Sequence, residues 1–410
     1  MAEVIFGAKT RAQTSPVARV FISSLVCFGL MSSIVFPSIP LGGVDVYLVT
    51  LLSPIIFVVV LMCWVKSPIF HCSSLLPITL GLMVCLSSVF SWIYGFSSVN
   101  YRDILEAVKY TQFAPYLLVL PFISLAAMNV FHRSIVASSF LVGVIGFCQV
   151  LGFANSISYI YLGADSSHID SVISGLRITL TGSDPNVGGV IASFFAIYFF
   201  SLYAEKRKLR FVFFATIFIF FCAMTQSRTA LIALLLGLGF YYIFFFKGVF
   251  VLKWLALVFS GFFVIFLIFY LDLYYIYLGI QYALDGQNNS LNVRFENLYL
   301  AIQRFYESPI FGMGPAKSEF DTTIDSEYAL IIQRYGLIGI IVFFFYVLYL
   351  FRLSLRNIKS HWGVCLFIFN FMSILVMMTN NVFSGYQLMS LVIFLNMACV
   401  INEKMEKPLN

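Results

Sequence analysis

The sequence predicts an all-α polytopic membrane protein of about twelve transmembrane helices with two large external loops, one of which contains an amphipathic helix. Three observations carry that prediction. Of 410 residues, 61% are hydrophobic and 10% charged, and the charged share is well under half that of an average soluble domain. Apolar runs near the roughly 20 residues needed to cross the bilayer core recur between polar breaks. Lysines and arginines gather at alternate breaks, as their retention on the cytoplasmic side requires. No P-loop pattern occurs and no room remains for a soluble catalytic domain. Chemistry is therefore expected at the loops and span ends of a single integral membrane domain, 1–410.

In chain order the spans are expected at about 17–36, 46–65, 75–94, 112–130, 135–153, 187–203, 209–224, 229–246, 249–271, 329–351, 362–379 and 383–401. The first follows Lys9, Arg11 and Arg19 without a small-residue cleavage site, so it reads as a retained span rather than a removed signal. Seven of the eight cysteines fall in apolar runs without metal-site spacing, which reads as small buried side chains. With both termini cytoplasmic, most of the 24 basic residues lie inside, among them Lys66, Arg133, Lys206, Arg207, Lys208, Arg210, Arg352 and Arg356. Arg102, Lys109, Arg177, Arg228, Arg294, Arg304, Lys317 and Arg334 are left outside, with most of the 18 acids. The net charge of +6 is thus an anchoring pattern, and no nucleic-acid partner is expected. No Asp or Glu falls in the middle of an expected span, where ion-coupled carriers place one.

The connections 154–186 and 272–328 are long, and long loops in compact proteins tend to carry function. The first holds Asp165, His168, Asp170, Arg177 and Asp184 and ends in Thr-Gly-Ser-Asp-Pro-Asn before Val187-Gly188-Gly189. That ending is either a capped helix start or a glycine-lined amide site for an anion. The second holds Asn292–Glu307, whose apolar positions 295, 298, 299, 302, 305 and 306 keep helical spacing, as for a helix lying on the membrane surface. Arg294 and Arg304 are either its solvated polar face or ligands for an anion. Gly312-Met-Gly314-Pro makes a tight turn, and Asp325, Ser326, Glu327 and Tyr328 precede the tenth span. Arg228 stands in the short external turn Thr225-Gln-Ser-Arg-Thr-Ala230 between two apolar spans. Its guanidinium fork matches phosphate oxygens in a way Lys does not, the alternative being a headgroup anchor. External tyrosines (Tyr274, Tyr275, Tyr277, Tyr282, Tyr299, Tyr306) suit either sugar stacking or an interfacial aromatic belt.

Taken in order, Ser227-Arg228-Thr229, Arg294 leading a helix, Ser-Pro-Ile-Phe-Gly-Met-Gly-Pro, and Asp-Ser-Glu-Tyr before Tyr-Gly-Leu-Ile-Gly-Ile340 resemble the O-antigen ligase/polymerase superfamily over about 185–345. Ligases of that superfamily carry a His opening a His-Asn-x-Tyr motif. This chain has Asp325 there, and so resembles the Wzy-type polymerases. Arg177, followed after ten residues by Gly188, also resembles a pattern of the first large loop of such polymerases.

The resemblance implies polymerisation of undecaprenyl-diphosphate-linked repeat units by metal-independent glycosyl transfer, with no cofactor. The setting is the periplasmic face of the bacterial inner membrane, with both termini cytoplasmic. Donor and acceptor are both lipid-linked glycans, membrane lipid surrounds the chain, and a chain-length-regulating co-polymerase is the implied partner. A diphosphate leaving group needs cations around it more than a proton donor. Arg228, Arg294 and Arg177 are the implied clamp, and Asp325 or Glu327 the base for the acceptor hydroxyl. The catalytic candidates are then Asp325, Arg228 and Arg294. Arg177, Arg304, Asp184, Glu327 and Tyr328 are the substrate-binding candidates, and no metal ligands are assigned. Alternatives are a ligase, which predicts His in place of Asp325, and a flippase or transporter, which predicts charges lining the membrane interior. A metal-dependent phosphosugar transferase predicts an external acidic pair, for which residues 37–45 offer only Asp45, leaving Asp165 and Asp170.

Overall fold

The structure is a computed structural model that describes residues 16–41, 44–66, 71–123, 127–153, 155–162, 169, 172, 174–175, 177–245, 281, 289–319 and 324–406. The expected span 249–271 lies outside these residues, as do Asp165, His168, Asp170 and the first part of the loop 272–328.

The described chain is helical apart from one short hairpin. Helix α1 (Pro16–Val35) leads to β1 (Ile39–Leu41) and β2 (Val44–Val46), antiparallel with Pro40 opposite Asp45. Then come α2 (Leu48–Lys66), α3 (Leu75–Ile93), α4 (Tyr101–Thr111), α5 (Ala114–Leu118), α6 (Met128–Val150) and α7 (Asn155–Tyr161). After the first long loop follow α8 (Pro185–Lys206), α9 (Leu209–Met224) and α10 (Arg228–Phe244). The amphipathic segment is α11 (Asn289–Glu307), followed by α12 (Glu327–Arg356), α13 (His361–Val376) and α14 (Tyr386–Glu406). Among the described residues seven helices, α1, α2, α3, α6, α8, α12 and α14, are long and apolar enough to cross a membrane. The apolar helices α9, α10 and α13 are shorter. Each of these ten overlies an expected span, and helix is the form in which a lipid-embedded backbone satisfies its own polar groups.

The expected span 112–130 is not one helix. Helix α5 stops at Leu118, a 3-10 turn covers Leu120–Phe122, and Ile123 is extended. Pro121 explains the break, since a helix continuing through it would drive its ring into the carbonyl of Leu117. Protein covers the segment instead: Phe113, Tyr116, Leu117 and Leu120 are buried, and the Tyr116 hydroxyl donates to the Val49 carbonyl at 2.9 Å.

The chain forms two compact units. Unit one comprises Met1–Ser138, Arg294–Asn357 and Asn381–Asn410; unit two comprises Ser139–Val293 and Ile358–Asn380. In unit one α14 packs against α1 and α12, and α3 packs against α4 and α12. In unit two α8 packs against α9, α10 and α13, with Phe194, Phe195, Phe218, Phe221 and Phe369 in its core. Outward side chains of the spans are apolar, including Val58, Met62, Phe140, Phe213 and Phe345, as lipid contact requires. All eight cysteines are free thiols.

Helix α12 breaks its own hydrogen bonding at Gly336, whose backbone (φ 57°, ψ −150°) only glycine adopts readily. The break releases carbonyls and amides that the loop 308–316 collects. Met313 and Gly314 donate to the carbonyls of Gln333 and Arg334 at 3.0 and 2.9 Å. Leu337 and Ile338 donate to those of Pro309 and Ile310 at 2.9 and 3.2 Å. The Ser87 hydroxyl bonds the carbonyls of Phe311 and Arg334, and the Phe311 ring stacks on Phe90 at 3.6 Å. Two carbonyls before the kink and two amides after it thus find partners in the loop. The glycine-rich turn and the Tyr-Gly-Leu-Ile-Gly segment, separate motifs in sequence, form one joint. A Cβ at position 336 would fall within 2.8 Å of the backbone of Pro309, Ile310 and Gly312. Gly336→Ala is therefore expected to cost at least about 1–3 kcal/mol, read as a lower melting temperature and lower abundance in membranes. An unchanged melting temperature would refute the joint.

Candidate active site

In unit two the residues of interest meet around the turn before α10. Helix α9 ends at Met224, Gln226 takes a left-handed backbone (φ 52°), and the Ser227 hydroxyl caps α10 by accepting from the Ala230 amide. This is the N-cap that Ser227-Arg228-Thr229 encodes. Arg228 is the first helical residue and is half-buried. Arg177 supports the turn from beneath: it is 3% exposed, and its Nε donates to the Thr225 carbonyl at 2.9 Å. Its guanidinium also reaches the Asn186 side-chain oxygen at 3.5 Å. The neighbouring Ile178 amide donates to the Met224 carbonyl at 3.3 Å.

The start of α8 is a capped helix start. The Asp184 carboxylate accepts from the amides of Asn186 (2.7 Å) and Val187 (3.1 Å), so the chain's own anion holds the amides at that helix end. Gly188 and Gly189 serve close packing. A Cβ on Gly188 would overlap the Thr179 carbonyl, and one on Gly189 would crowd Ala230, Thr225 and Ser227. The Arg177-to-Gly188 spacing thus has a geometric basis, because Arg177 ties the loop to the α9–α10 turn while Gly188 lets the same loop cross α8.

In unit one the Asp325–Tyr328 stretch splits by position. Asp325 is exposed, Ser326 caps α12 by accepting from the Ala329 amide, and Tyr328 is half-buried. Glu327 is 1% exposed. Its carboxylate accepts three backbone amides of the turn before α14: Val382 at 2.6 Å, Phe383 at 2.8 Å and Ser384 at 2.7 Å. Three successive amides converging on one carboxylate form an anion nest, and Glu327 fills it. Of the two base candidates, Asp325 is the one presented outward.

Helix α11 is amphipathic in an unusual sense. Phe295, Tyr299, Ile302 and Tyr306 are exposed, while Arg294, Leu298, Ala301, Arg304 and Phe305 share the covered side. The arginines are therefore not a solvated polar stripe. The exposed side carries Asn292, Glu296, Gln303 and Glu307 beside those apolar residues, as for a helix at the boundary of lipid and water.

Sequence reasoning missed a buried charge cluster, also in unit one. Helix α4, capped by Asn100, buries Asp103, Glu106, Ala107 and Tyr110 at positions i, i+3, i+4 and i+7. That polar stripe at helical spacing was the available signal, in a stretch read as an external connection. Glu106 lies 3.6 Å from Lys109, 3.6 Å from Lys317 and 3.4 Å from Arg334. Burial alone would push its carboxyl up, but Lys109, Arg334 and Lys317 outweigh burial and hold it at about 2 against an ordinary 4.5. A folded value below the unfolded one means the stabilisation is present above about pH 4.5 and is lost as pH falls through about 2. The stability gap between wild type and Glu106→Gln is thus expected to stay constant near neutrality and to shrink between pH 4.5 and 2, as read by melting at each pH. A gap that does not change with pH would remove the ionic role of Glu106.

Residues 213–344 match the family described as O-antigen ligase. This segment is similar to the O-antigen ligase/polymerase superfamily. It runs from within α9 into α12 and contains Arg228, Arg294, Arg304, Asp325, Glu327, Tyr328 and the joint at Gly336. Arg177, Asp184 and Glu106 precede it. The match supports an enzyme of the ligase/polymerase type, and the apolar helices support a multi-pass membrane chain. No curated protein matches the chain.

Proposed function

We propose that the protein is a polysaccharide polymerase that joins undecaprenyl-diphosphate-linked repeat units into O-antigen or a similar surface glycan. The observation that carries this reading over ligation is Asp325, exposed at the start of α12 where ligases carry His. Arg228 and Arg294 are the guanidinium groups offered to lipid-linked diphosphate, where developing charge on a leaving group needs a cation more than a proton. Asp325 accepts the proton of the acceptor hydroxyl, and its help is largely positional because a carboxylate is a weak base for a sugar alcohol. Arg304 and Tyr328 border the glycan. Arg177, Asp184 and Glu327 hold the backbone that presents these groups. The reaction runs at the periplasmic face of the inner membrane, with both termini cytoplasmic and a chain-length-regulating co-polymerase as partner.

Ligation is the competing reading, favoured by the description of the matching family. A lipopolysaccharide gel of a strain lacking the gene separates the two. A ladder collapsing to core plus one repeat unit, restored by the intact gene, is the expected result. Loss of every band above the core would make the protein a ligase or place it upstream in lipid-linked sugar supply.

A further inference from the structure

The charges around Glu106 do not balance. One carboxylate faces three cations, and the second acid of the stripe, Asp103, is taken up by neutral donors: the Lys317 amide at 2.9 Å and the Trp92 indole at 3.4 Å. Counting both acids, the group keeps one net positive charge. Charge-assisted N–H···O contacts close to about 2.7–2.9 Å, whereas those to Glu106 are 3.4–3.6 Å. The carboxylate therefore sits among three cations at once rather than closing on one of them. Unmatched charge out of water is costly unless an anion joins it. Access is graded: Arg334 and Glu106 side chains are 8% exposed, Lys109 20% and Lys317 32%. The two amines are thus the part of the cluster that solvent reaches, and the guanidinium and carboxylate are the covered part. Beside them the Lys109 ammonium lies 5.3 Å over the Tyr386 ring, which stacks on Tyr47 at 5.1 Å. Three cations set around one carboxylate match the charge of a phosphate.

We propose that Lys109, Lys317 and Arg334, set around Glu106, form a second phosphate-binding site that takes the diphosphate of a lipid-linked glycan. The proposal rests on the polymerase reading, in which donor and acceptor each carry a lipid diphosphate. A phospholipid headgroup presents the same phosphate chemistry, so the test separates the two sources.

Full-length protein in phosphatidylcholine nanodiscs is titrated with undecaprenyl diphosphate, and separately with phosphatidylglycerol, and bound lipid is counted by native mass spectrometry. Wild type is compared with Lys109→Gln/Lys317→Gln and with the charge-preserving Lys109→Arg/Lys317→Arg. Both lysines are part-exposed and the Glu106–Arg334 pair is kept, so the variants are expected to fold, which their melting temperatures check. The expected result is about tenfold weaker binding of one undecaprenyl diphosphate in the glutamine variant, near-normal binding in the arginine variant, and unchanged phosphatidylglycerol binding. A loss confined to phosphatidylglycerol would overturn the assignment to a glycan carrier. No loss of either lipid would overturn the site itself. Elongation of lipid-linked repeat units by wild type in the same nanodiscs is scored apart. Its absence would remove the polymerase reading while leaving the phosphate site to stand or fall on the binding data.

Discussion

Replacing Arg228 or Arg294 by alanine is expected to abolish polymer while protein abundance stays at the wild-type level. Removing one preorganised group that meets developing charge costs roughly 100- to 1000-fold in rate, enough to erase a ladder on a gel. The local structure supports the specificity of each change. Arg228 is the first residue of α10, and the cap on that helix comes from the Ser227 hydroxyl rather than from the arginine, so truncation leaves the turn intact. Arg294 sits on the half-covered side of α11, whose helical spacing does not depend on it. Lysine at either position keeps the charge but loses the two-pronged fork that fits phosphate oxygens, so Arg228→Lys and Arg294→Lys are expected to give short, weak ladders. Arg177→Ala makes the contrast: its buried guanidinium holds the Thr225 carbonyl, and its loss is expected to lower abundance together with activity. Near-normal ladders in both alanine variants at normal abundance would sink the diphosphate role.

The elements that were legible from sequence are those written by short-range physics. Long apolar runs became helices because a chain in lipid has no other way to satisfy its backbone, and the turn at Asp184 became a capped helix start because its side chain reaches the amides two and three residues on. The failures are one local breaker and several partners distant in sequence. The apolar content of 112–130 outweighed Pro121, although one proline suffices to end a helix. Glu106 looked like a charge in an external connection because its cations come from α4 itself, from the loop after α11, and from α12. Glu327 and Asp325 looked interchangeable as bases because nothing near 327 announces the amides of 382–384. The Arg177-to-Gly188 spacing was readable as a pattern, but its reason, a loop crossing α8 and gripping the α9–α10 turn, needed coordinates.

The neighbouring acids Asp325 and Glu327 are expected to fail in opposite ways. Asp325→Asn keeps size and removes the charge of an exposed side chain, so abundance and melting temperature stay near wild type. If its carboxylate takes the acceptor proton, turnover falls by about 100-fold or more. Glu327→Gln replaces one carboxylate oxygen by an amide nitrogen that accepts nothing. Since Oε2 serves Val382 and Phe383 and Oε1 serves Ser384, at least one buried amide is orphaned in either rotamer. An unsatisfied buried donor costs about 1–3 kcal/mol, so this variant loses melting temperature and abundance first, and activity only in proportion to the protein that remains. Activity per molecule and thermal stability, measured on the same membranes, resolve the pair. Full activity in Asp325→Asn would reduce Asp325 to part of the turn before α12. A stable but inactive Glu327→Gln would move the base to Glu327, and the nest of amides would then be the means by which the turn before α14 sets the charge of a catalytic carboxylate.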